Sequence, residues 1–261
     1  MAIDPVHIIG KEVLGEFLGT FILMFIGEGS TATYTITKNN DWFHLCMGWG
    51  LAVFMGVLCS AKLSGAHLNL AVTLALSSIK KFDFKKIPHY FVAQLLGAFS
   101  ATAAVYGMYC GYIKTEPDGV VAPKFVWETA KDTNVSTLNA FAHECILTGL
   151  LILVILLITD ETVGGRFSIL KVAAVVGTTV ATIGMTFGKN TGFALNPSRD
   201  LGARLLSLIV TGSSAFTDDS YYCWVPFVGP IVGAITGGLL YHLAIKPLNN
   251  MEVQDDINEN V

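Results

Sequence analysis

Six long apolar stretches constrain this chain more than any other feature. They lie near residues 13–36, 43–64, 86–113, 137–159, 168–188 and 221–245. Each reaches the length of about 20 residues that a helix needs to cross the ~30 Å hydrocarbon core of a bilayer. Because that core offers no water to an unpaired backbone, such stretches are stable there only as helices. The sequence therefore predicts an all-α membrane protein with six transmembrane helices.

The composition agrees with this class and excludes several others. Charged residues make up 14% of the chain, against roughly a quarter in soluble domains. The net charge of −4 gives no basic footprint for nucleic acid. The five cysteines lack CxxC spacing, so we expect no disulfide framework, no metal site and no cofactor. The first stretch is too long for a signal peptide and lacks a cleavage site, so it is kept as the first helix.

The lysine distribution predicts the orientation. The densest basic cluster contains Lys80, Lys81, Lys85 and Lys86 between the second and third spans. Short loops rich in lysine stay on the cytoplasmic side, and an even number of spans returns both termini to that side. We expect a multi-pass protein with cytoplasmic termini, most simply in the plasma membrane, and an acidic cytoplasmic tail over 246–261.

Two further apolar segments, 69–79 and 196–208, are too short to span. Eleven helical residues extend only about 16 Å. The segments follow related sequences, "GAHLN" at 65–69 and "GFALN" at 192–196, which are 127 positions apart. The match predicts one transmembrane domain over 1–261, built from internal repeats at about 11–113 and 137–245.

An odd number of spans per repeat has a topological consequence. The second copy must lie inverted relative to the first, so the two short helices enter from opposite faces and meet near the midplane. Asn69 and Asn196 stand at the expected N-caps, and Pro197 occupies the first helical position. Two positive helix ends, each worth roughly half an elementary charge, then face one central point and repel cations, protons included.

Glu16 and Glu144 lie inside predicted spans, 128 positions apart. An unpartnered acid there costs about 2.5–3.5 kcal/mol on the insertion scale. The irregular segments 64–68 and 191–195 offer free backbone N–H groups, so we interpret the pair as supports for these loops. A proton relay is the alternative reading.

Three other polar residues lie within or beside the spans. His67 stands on the first irregular segment, where it either lines a watery cavity or packs the loop. Lys62 and Glu28 are expected near span ends, where long side chains can reach the interface.

The segments "SGAHLNLAVT" (64–73) and "TGFALNPSRDLGAR" (191–204) resemble the two Asn-Pro-Ala boxes of the aquaporin family, in its glycerol-conducting branch, the aquaglyceroporins. The resemblance extends over about 11–245. Here the boxes read Asn-Leu-Ala and Asn-Pro-Ser, and they consist of Asn69, Leu70, Ala71, Asn196, Pro197 and Ser198. The resemblance implies the aquaporin fold, with two re-entrant half-helices in an inverted repeat, and a homotetramer in which each subunit has its own pore.

The resemblance also implies a selectivity filter of four residues: Trp49, Gly184, Phe193 and Arg199. In water-selective relatives the counterpart of Gly184 is typically histidine and that of Phe193 is small, so the ring here is wider and half apolar. An apolar corner opposite a guanidinium suits the two sides of a polyol. The expected permeants are glycerol and water, with urea and other small neutral polyols as candidates and with ions and protons excluded.

Two readings compete with a passive channel. A secondary transporter can use the same inverted-repeat plan but needs a coupled ion, and a structural membrane protein could use the fold for packing with a nearly closed pore. An enzyme is not expected, because the spans contain no nucleophile elbow and no His-Glu metal pairing.

Overall fold

The structure, a computed structural model, describes residues 5–37, 41–112, 127–160 and 167–248, and it gives side-chain environments from residue 9 onward. All regular structure in these ranges is helical. The six long helices are α1 (Pro5–Thr37), α2 (Trp42–Ser64), α4 (Ile87–Tyr109), α5 (Thr137–Thr159), α6 (Ile169–Phe187) and α9 (Val225–Leu240). The shorter ones are α3 (Leu70–Ser78), α7 (Pro197–Thr211) and α8 (Ser214–Tyr221).

The helix bounds follow the predicted spans closely, with three differences. Helix α4 ends at Tyr109, before the predicted end at 113. Helix α1 begins at Pro5, well before the first apolar stretch, and α9 begins at Val225 and passes into a π-helical turn over Tyr241–Ile245. Of the predicted tail, 246–248 continue as helix and 249–261 lie outside the described residues.

By length and composition, five helical stretches in the described ranges can cross a membrane: Trp42–Ser64, Phe84–Tyr109, Thr137–Thr159, Ile169–Asn190 and Ser214–Leu248. Helix α1 is not among these five, although its 33 residues exceed the length required. It packs along both α2 and α4, so it belongs to the same bundle.

The two halves of the bundle pack in the same way. Helix α1 packs on α2 and α4, and its counterpart α5 packs on α6 and α9. Half-helix α3 lies against α9 from the other half, while α7 lies against α4. Helices α2 and α6, which correspond to each other, meet at the centre. Each half-helix is therefore held by a span of the opposite repeat, which places the two short helices between the halves.

Glycines permit the close crossing of α5 and α9. A Cβ at Gly233 would overlap the backbone carbonyl of Cys145, and one at Gly237 would lie 2.6 Å from the carbonyl oxygen of Gly149. Only glycine allows this approach without a shift of the backbone. The crossing anchors α9, against which α3 packs.

One expectation about charge is wrong. Glu28 does not reach the membrane interface: its side chain is completely buried, whereas Lys62 is exposed. The physical reason is the helical face on which Glu28 lies. It follows Met24 by one turn and precedes Ala32 by one turn, and both of these residues are fully buried in the core.

Candidate functional site

The two half-helices meet through their N-cap asparagines. Asn69 Nδ2 donates to the carbonyl of Leu195, and Asn196 Nδ2 donates to the carbonyl of Leu68, both at 2.8 Å. Each side-chain oxygen caps its own helix, since Asn69 Oδ1 accepts from the N–H of Ala71. An amide nitrogen has two N–H donors, so each asparagine keeps one donor beyond this cross-link.

The segments before the half-helices share one unusual backbone path. Ala66 and Leu68 have φ of 54° and 52°, and the equivalent Phe193 and Leu195 have φ of 40° and 55°. A left-handed conformation costs a non-glycine residue about 1–3 kcal/mol and persists only where the surroundings enforce it. Both segments carry this strain at equivalent positions, so the surrounding structure must enforce the same backbone path in each.

Glu16 supports the first loop. Its carboxylate accepts hydrogen bonds from Ser64 Oγ at 2.6 Å, from the backbone N–H of His67 at 3.0 Å and from that of Leu68 at 2.7 Å. Gln94 Nε2 adds another at 2.8 Å. These bonds satisfy backbone donors that the strained path leaves without helix or sheet partners.

Glu144 makes the equivalent contacts in the second repeat. It accepts from Thr191 Oγ1 at 2.6 Å and from the backbone N–H groups of Ala194 and Leu195, both at 3.0 Å. The side chain is completely buried. A buried carboxylate is tolerated when several donors satisfy it, and both glutamates meet this condition.

A buried glutamine connects the two half-helices. Besides its bond to Glu16, Gln94 Nε2 donates to Thr73 Oγ1 in α3 at 3.2 Å. Its oxygen accepts from Ser198 Oγ in α7 at 2.9 Å. The serine of the variant Asn-Pro-Ser box therefore has a partner that alanine would lack.

His67 has both of the surroundings considered for it. Its ring packs against Phe82 and Tyr90, at centroid distances of 4.7 and 4.9 Å, and Nδ1 lies 3.1 Å from Thr73 Oγ1. The residue also lines the cavity described next. The ring thus packs the loop at the edge of the cavity.

A cavity of about 330 Å³ runs between the half-helices. Its apolar lining includes Val53, Val57 and Val176, and its polar lining includes Asn69 and Asn196. It extends from Arg199 at one end to Lys81 and Thr159 at the other, where the lysine-rich loop lies. A solute inside would meet both hydrocarbon and hydrogen-bonding groups.

At the end away from Lys81, the cavity is bounded by Trp49, Phe193 and Arg199. The Arg199 guanidinium carbon lies 4.5 Å from the centre of the Trp49 ring, a cation–π contact. Trp49 Nε1 donates to Thr31 Oγ1 at 3.0 Å, which fixes the orientation of the indole.

Gly184 contributes to the filter by leaving space for the neighbouring Phe193 ring. It is absent from the cavity lining in the described part of the chain. A Cβ at this position would lie 2.9 Å from Phe193 Cζ and 3.0 Å from Cys46 Sγ, so the glycine makes room for the phenylalanine ring. Trp42 packs edge-on against Phe193 and donates to the Gly184 carbonyl at 2.9 Å.

Arg199 is held by a segment that sequence reasoning missed. Its Nη1 donates to the backbone carbonyl of Trp127 at 2.8 Å. The next residues, Glu128 and Thr129, bind Arg204. Residues 127–129 carry no periodic signal because they lie between two spans. Trp127 and Thr129 bind the two arginines through backbone carbonyls, which the sequence pattern does not distinguish, whereas Glu128 binds Arg204 through its carboxylate.

Arg204 and Asp200 form an ion pair at positions i and i+4 of α7. Arg204 Nε donates to Asp200 Oδ2 at 2.5 Å, and both side chains are buried. Asp200 Oδ1 also accepts from the N–H and the hydroxyl of Thr129. The pair thus fastens the 127–129 segment to α7.

Six of the predicted site residues line one cavity: Trp49, His67, Asn69, Phe193, Asn196 and Arg199. Glu16, Glu144 and Gly184 lie behind its lining. Leu70, Ala71, Pro197 and Ser198 are buried in the first turns of α3 and α7 and are not among the described residues that line it. Gln94 was also missed, although a polar residue inside an apolar span is the same signal that identified Glu16.

Six long helices, two opposed half-helices and a cavity between them define an aquaporin-type membrane protein. The model of the family "Major intrinsic protein" matches residues 6–241. An aquaglyceroporin from Plasmodium berghei is 57% identical over 239 residues, which cover 91% of each chain. A probable glycerol uptake facilitator protein from Thermotoga maritima is 36% identical over 88% of this chain and 97% of its own.

A solved structure gives the same result. The X-ray structure of the aquaglyceroporin from Plasmodium falciparum matches with a TM-score of 0.89 and 56% identity, over 93% of this chain and 99% of the other. The chain belongs to the major intrinsic protein family. Both the expected fold and the resemblance to the aquaglyceroporins are confirmed.

Proposed function

We propose that this protein is a passive channel for glycerol and water that excludes ions and protons. The observation that carries the proposal is a cavity lined by both apolar side chains and hydrogen-bonding groups and bounded by Trp49, Phe193 and Arg199. Glycerol has both C–H and hydroxyl groups, so it can contact both kinds of lining at once. Relatives named aquaglyceroporin and probable glycerol uptake facilitator support this substrate class.

In this proposal the filter residues have different tasks. Trp49 and Phe193 contact the carbon side of the solute, while Arg199 donates to its hydroxyls. Gly184 leaves the space that Phe193 occupies. Urea and other small neutral polyols are candidate permeants on the same grounds.

Cations are excluded at the centre of the pore. The N-termini of α3 and α7 point their positive ends at the position of Asn69 and Asn196, and the free amide donors there bind oxygen rather than cations. Leu70, Ala71, Pro197 and Ser198 build these helix ends. The carboxylates of Glu16 and Glu144 each accept several hydrogen bonds from the two loops. This favours a role as supports of the loops over a proton relay.

We further propose one channel domain over 1–261, with repeats at about 11–113 and 137–245. We place the protein in the plasma membrane, with both termini and the lysine-rich loop in the cytoplasm, which fits the positive-inside pattern. A homotetramer fits the family. Passive conduction needs no catalytic group, so we assign no enzymatic activity.

The test is flux through the purified protein in liposomes. Light scattering after separate osmotic and glycerol gradients should show fast, non-saturating entry of both solutes without ion current, relative to empty vesicles. Saturable, ion-dependent uptake would instead indicate a transporter. Absence of both fluxes would favour the structural role.

A further inference from the structure

Asp160 is a buried acid beside the end of the cavity that Lys81 and Thr159 line, which we call the inner mouth. It is the C-cap of α5, directly after Thr159, and its side chain is 5% exposed. It belongs neither to the filter nor to the supports of the two loops. A buried carboxylate is stable only where partners satisfy its charge. The partners of Asp160 therefore indicate its role.

A single oxygen of Asp160 contacts groups from two other parts of the chain. The Tyr241 hydroxyl donates to Oδ2 at 2.8 Å. The ammonium nitrogens of Lys81 and Lys246 each lie 3.7 Å from the same oxygen. Lys81 Nζ also lies 5.9 Å from the centre of the Tyr241 ring, a cation–π contact. Asp160 thus joins the end of α5 to the loop after α3 and to the turn that follows α9.

Lys81 is the member of this cluster that lines the cavity. Asp160, Tyr241 and Lys246 are not among the described residues of the lining, so they lie behind it. The Lys81 side chain is 32% exposed and ends in a compact charge on a flexible four-carbon stem. A side chain of this kind swings through the mouth unless a partner restrains it. The contacts with Asp160 and the Tyr241 ring draw its ammonium group to one wall.

We propose that Asp160 is a positioning residue for the inner mouth, whose carboxylate tethers the Lys81 ammonium to the wall and keeps the path of the solute open. Without the tether, the ammonium stays in the watery mouth, because a charge avoids hydrocarbon. It then obstructs a solute of the size of glycerol more than it obstructs water. This inference rests on the proposed glycerol channel and adds a second control of solute size, at the end away from the filter.

A double-mutant cycle tests it, with wild type, Asp160→Asn, Lys81→Met and the double variant in liposomes. The readout is the ratio of glycerol to water entry rates, which a lower number of folded channels does not change. Asparagine keeps an acceptor for the Tyr241 hydroxyl but removes the charge, so the ratio should fall by about threefold or more in the wild-type background. In the Lys81→Met background the same substitution should change nothing, because the tethered group is gone.

Further variants separate the tether from other roles of Asp160. In a Lys246→Met background, Asp160→Asn should still lower the ratio, because Lys81 is present. Lys81→Glu places an acid beside Asp160, which repels it from the wall, so the same fall is expected. This variant replaces Asp160→Asn if that one fails to fold. Its matched control is Lys80→Glu, at an exposed neighbour that is not among the described lining residues, and the ratio should not change.

Different outcomes overturn different claims. Equal effects of Asp160→Asn with and without Lys81 would refute the tether, since they show action independent of the lysine. Loss of the effect in the Lys246→Met background would refute it as well and assign the role to Lys246. A ratio that neither Asp160→Asn nor Lys81→Glu changes would mean that the inner mouth does not limit glycerol. If wild-type vesicles admit no glycerol at all, the proposed function itself is wrong.

Discussion

Asn69 and Asn196 each donate a hydrogen bond to the carbonyl of the residue that precedes the other, at 2.8 Å in both directions. The exchange joins the two half-helices at their N-termini. It also fixes the direction of both helix dipoles where the two half-helices meet at the cavity. Helix capping and the field at the pore centre therefore depend on the same two side chains.

Asn196→Asp should separate these two functions. Aspartate keeps the capping oxygen but loses the donor to Leu68 and adds a negative charge where two positive helix ends meet. We expect folded protein with glycerol flux retained and with a measurable cation or proton leak. A pH-sensitive dye inside liposomes measures the leak, and Asn139→Asp, at the exposed start of α5, controls for added charge. An equally tight variant would contradict the proposed role of the dipoles.

Arg199→Ala should widen the filter. It removes the guanidinium that opposes Phe193 and leaves the Trp127 carbonyl without its donor. We expect larger polyols to enter faster relative to glycerol. An unpaired buried carbonyl also costs about 1–3 kcal/mol, so thermal stability should fall. Arg199→Lys should rescue only partly, because lysine lacks the planar fork. Unchanged selectivity in the alanine variant would remove Arg199 from the filter.

Gly184→His and Phe193→Ala should act together. Histidine alone collides with Phe193, since even a Cβ would lie 2.9 Å from its ring, so the single variant should be poorly folded. Removal of the ring makes room, and the double variant should recover yield and shift conduction from glycerol toward water. Separate water and glycerol swelling rates per folded channel provide the measurement. Glycerol flux that survives the double change undiminished would show that our account of the filter is wrong.

Glu144→Gln should be milder than Glu144→Leu. Glutamine keeps one acceptor oxygen for Thr191, Ala194 and Leu195, whereas leucine leaves the buried N–H groups of Ala194 and Leu195 without this acceptor. Each buried donor without a partner costs about 1–3 kcal/mol, so the leucine variant should lose most of its folded yield. Size-exclusion yield and glycerol flux compare the two. Equal behaviour would argue against the support of the loop by hydrogen bonds.

Ser198→Ala should affect stability and not selectivity. It restores the usual Asn-Pro-Ala box but breaks the bond to Gln94 and thereby the link to Thr73 in α3. The loss of one buried hydrogen bond should cost about 1 kcal/mol, seen as a lower melting temperature. Because Ser198 is not among the described residues that line the cavity, glycerol and water rates should not change. A shift in the glycerol-to-water ratio would contradict this assignment.

Several features could be predicted from the sequence because they depend on short-range patterns. Apolar length fixes the spans, so α5 begins and ends at the predicted residues, and the Asn caps mark the starts of α3 and α7. The repeat of "GAHLN" and "GFALN" reveals the inversion, because an odd number of spans per copy leaves no other topology.

The tertiary structure decided what each polar side chain touches. Glu16 and Glu28 look alike in sequence, as single acids in one apolar helix, yet the first accepts several bonds and the second has no hydrogen-bond partner among the described residues. The Trp127 carbonyl that holds Arg199 belongs to a segment without periodicity. Spans and caps follow from local hydropathy and backbone hydrogen bonding, which the chain encodes residue by residue. Contacts across the bundle depend on how six helices rotate against one another, and that is set by packing over the whole fold.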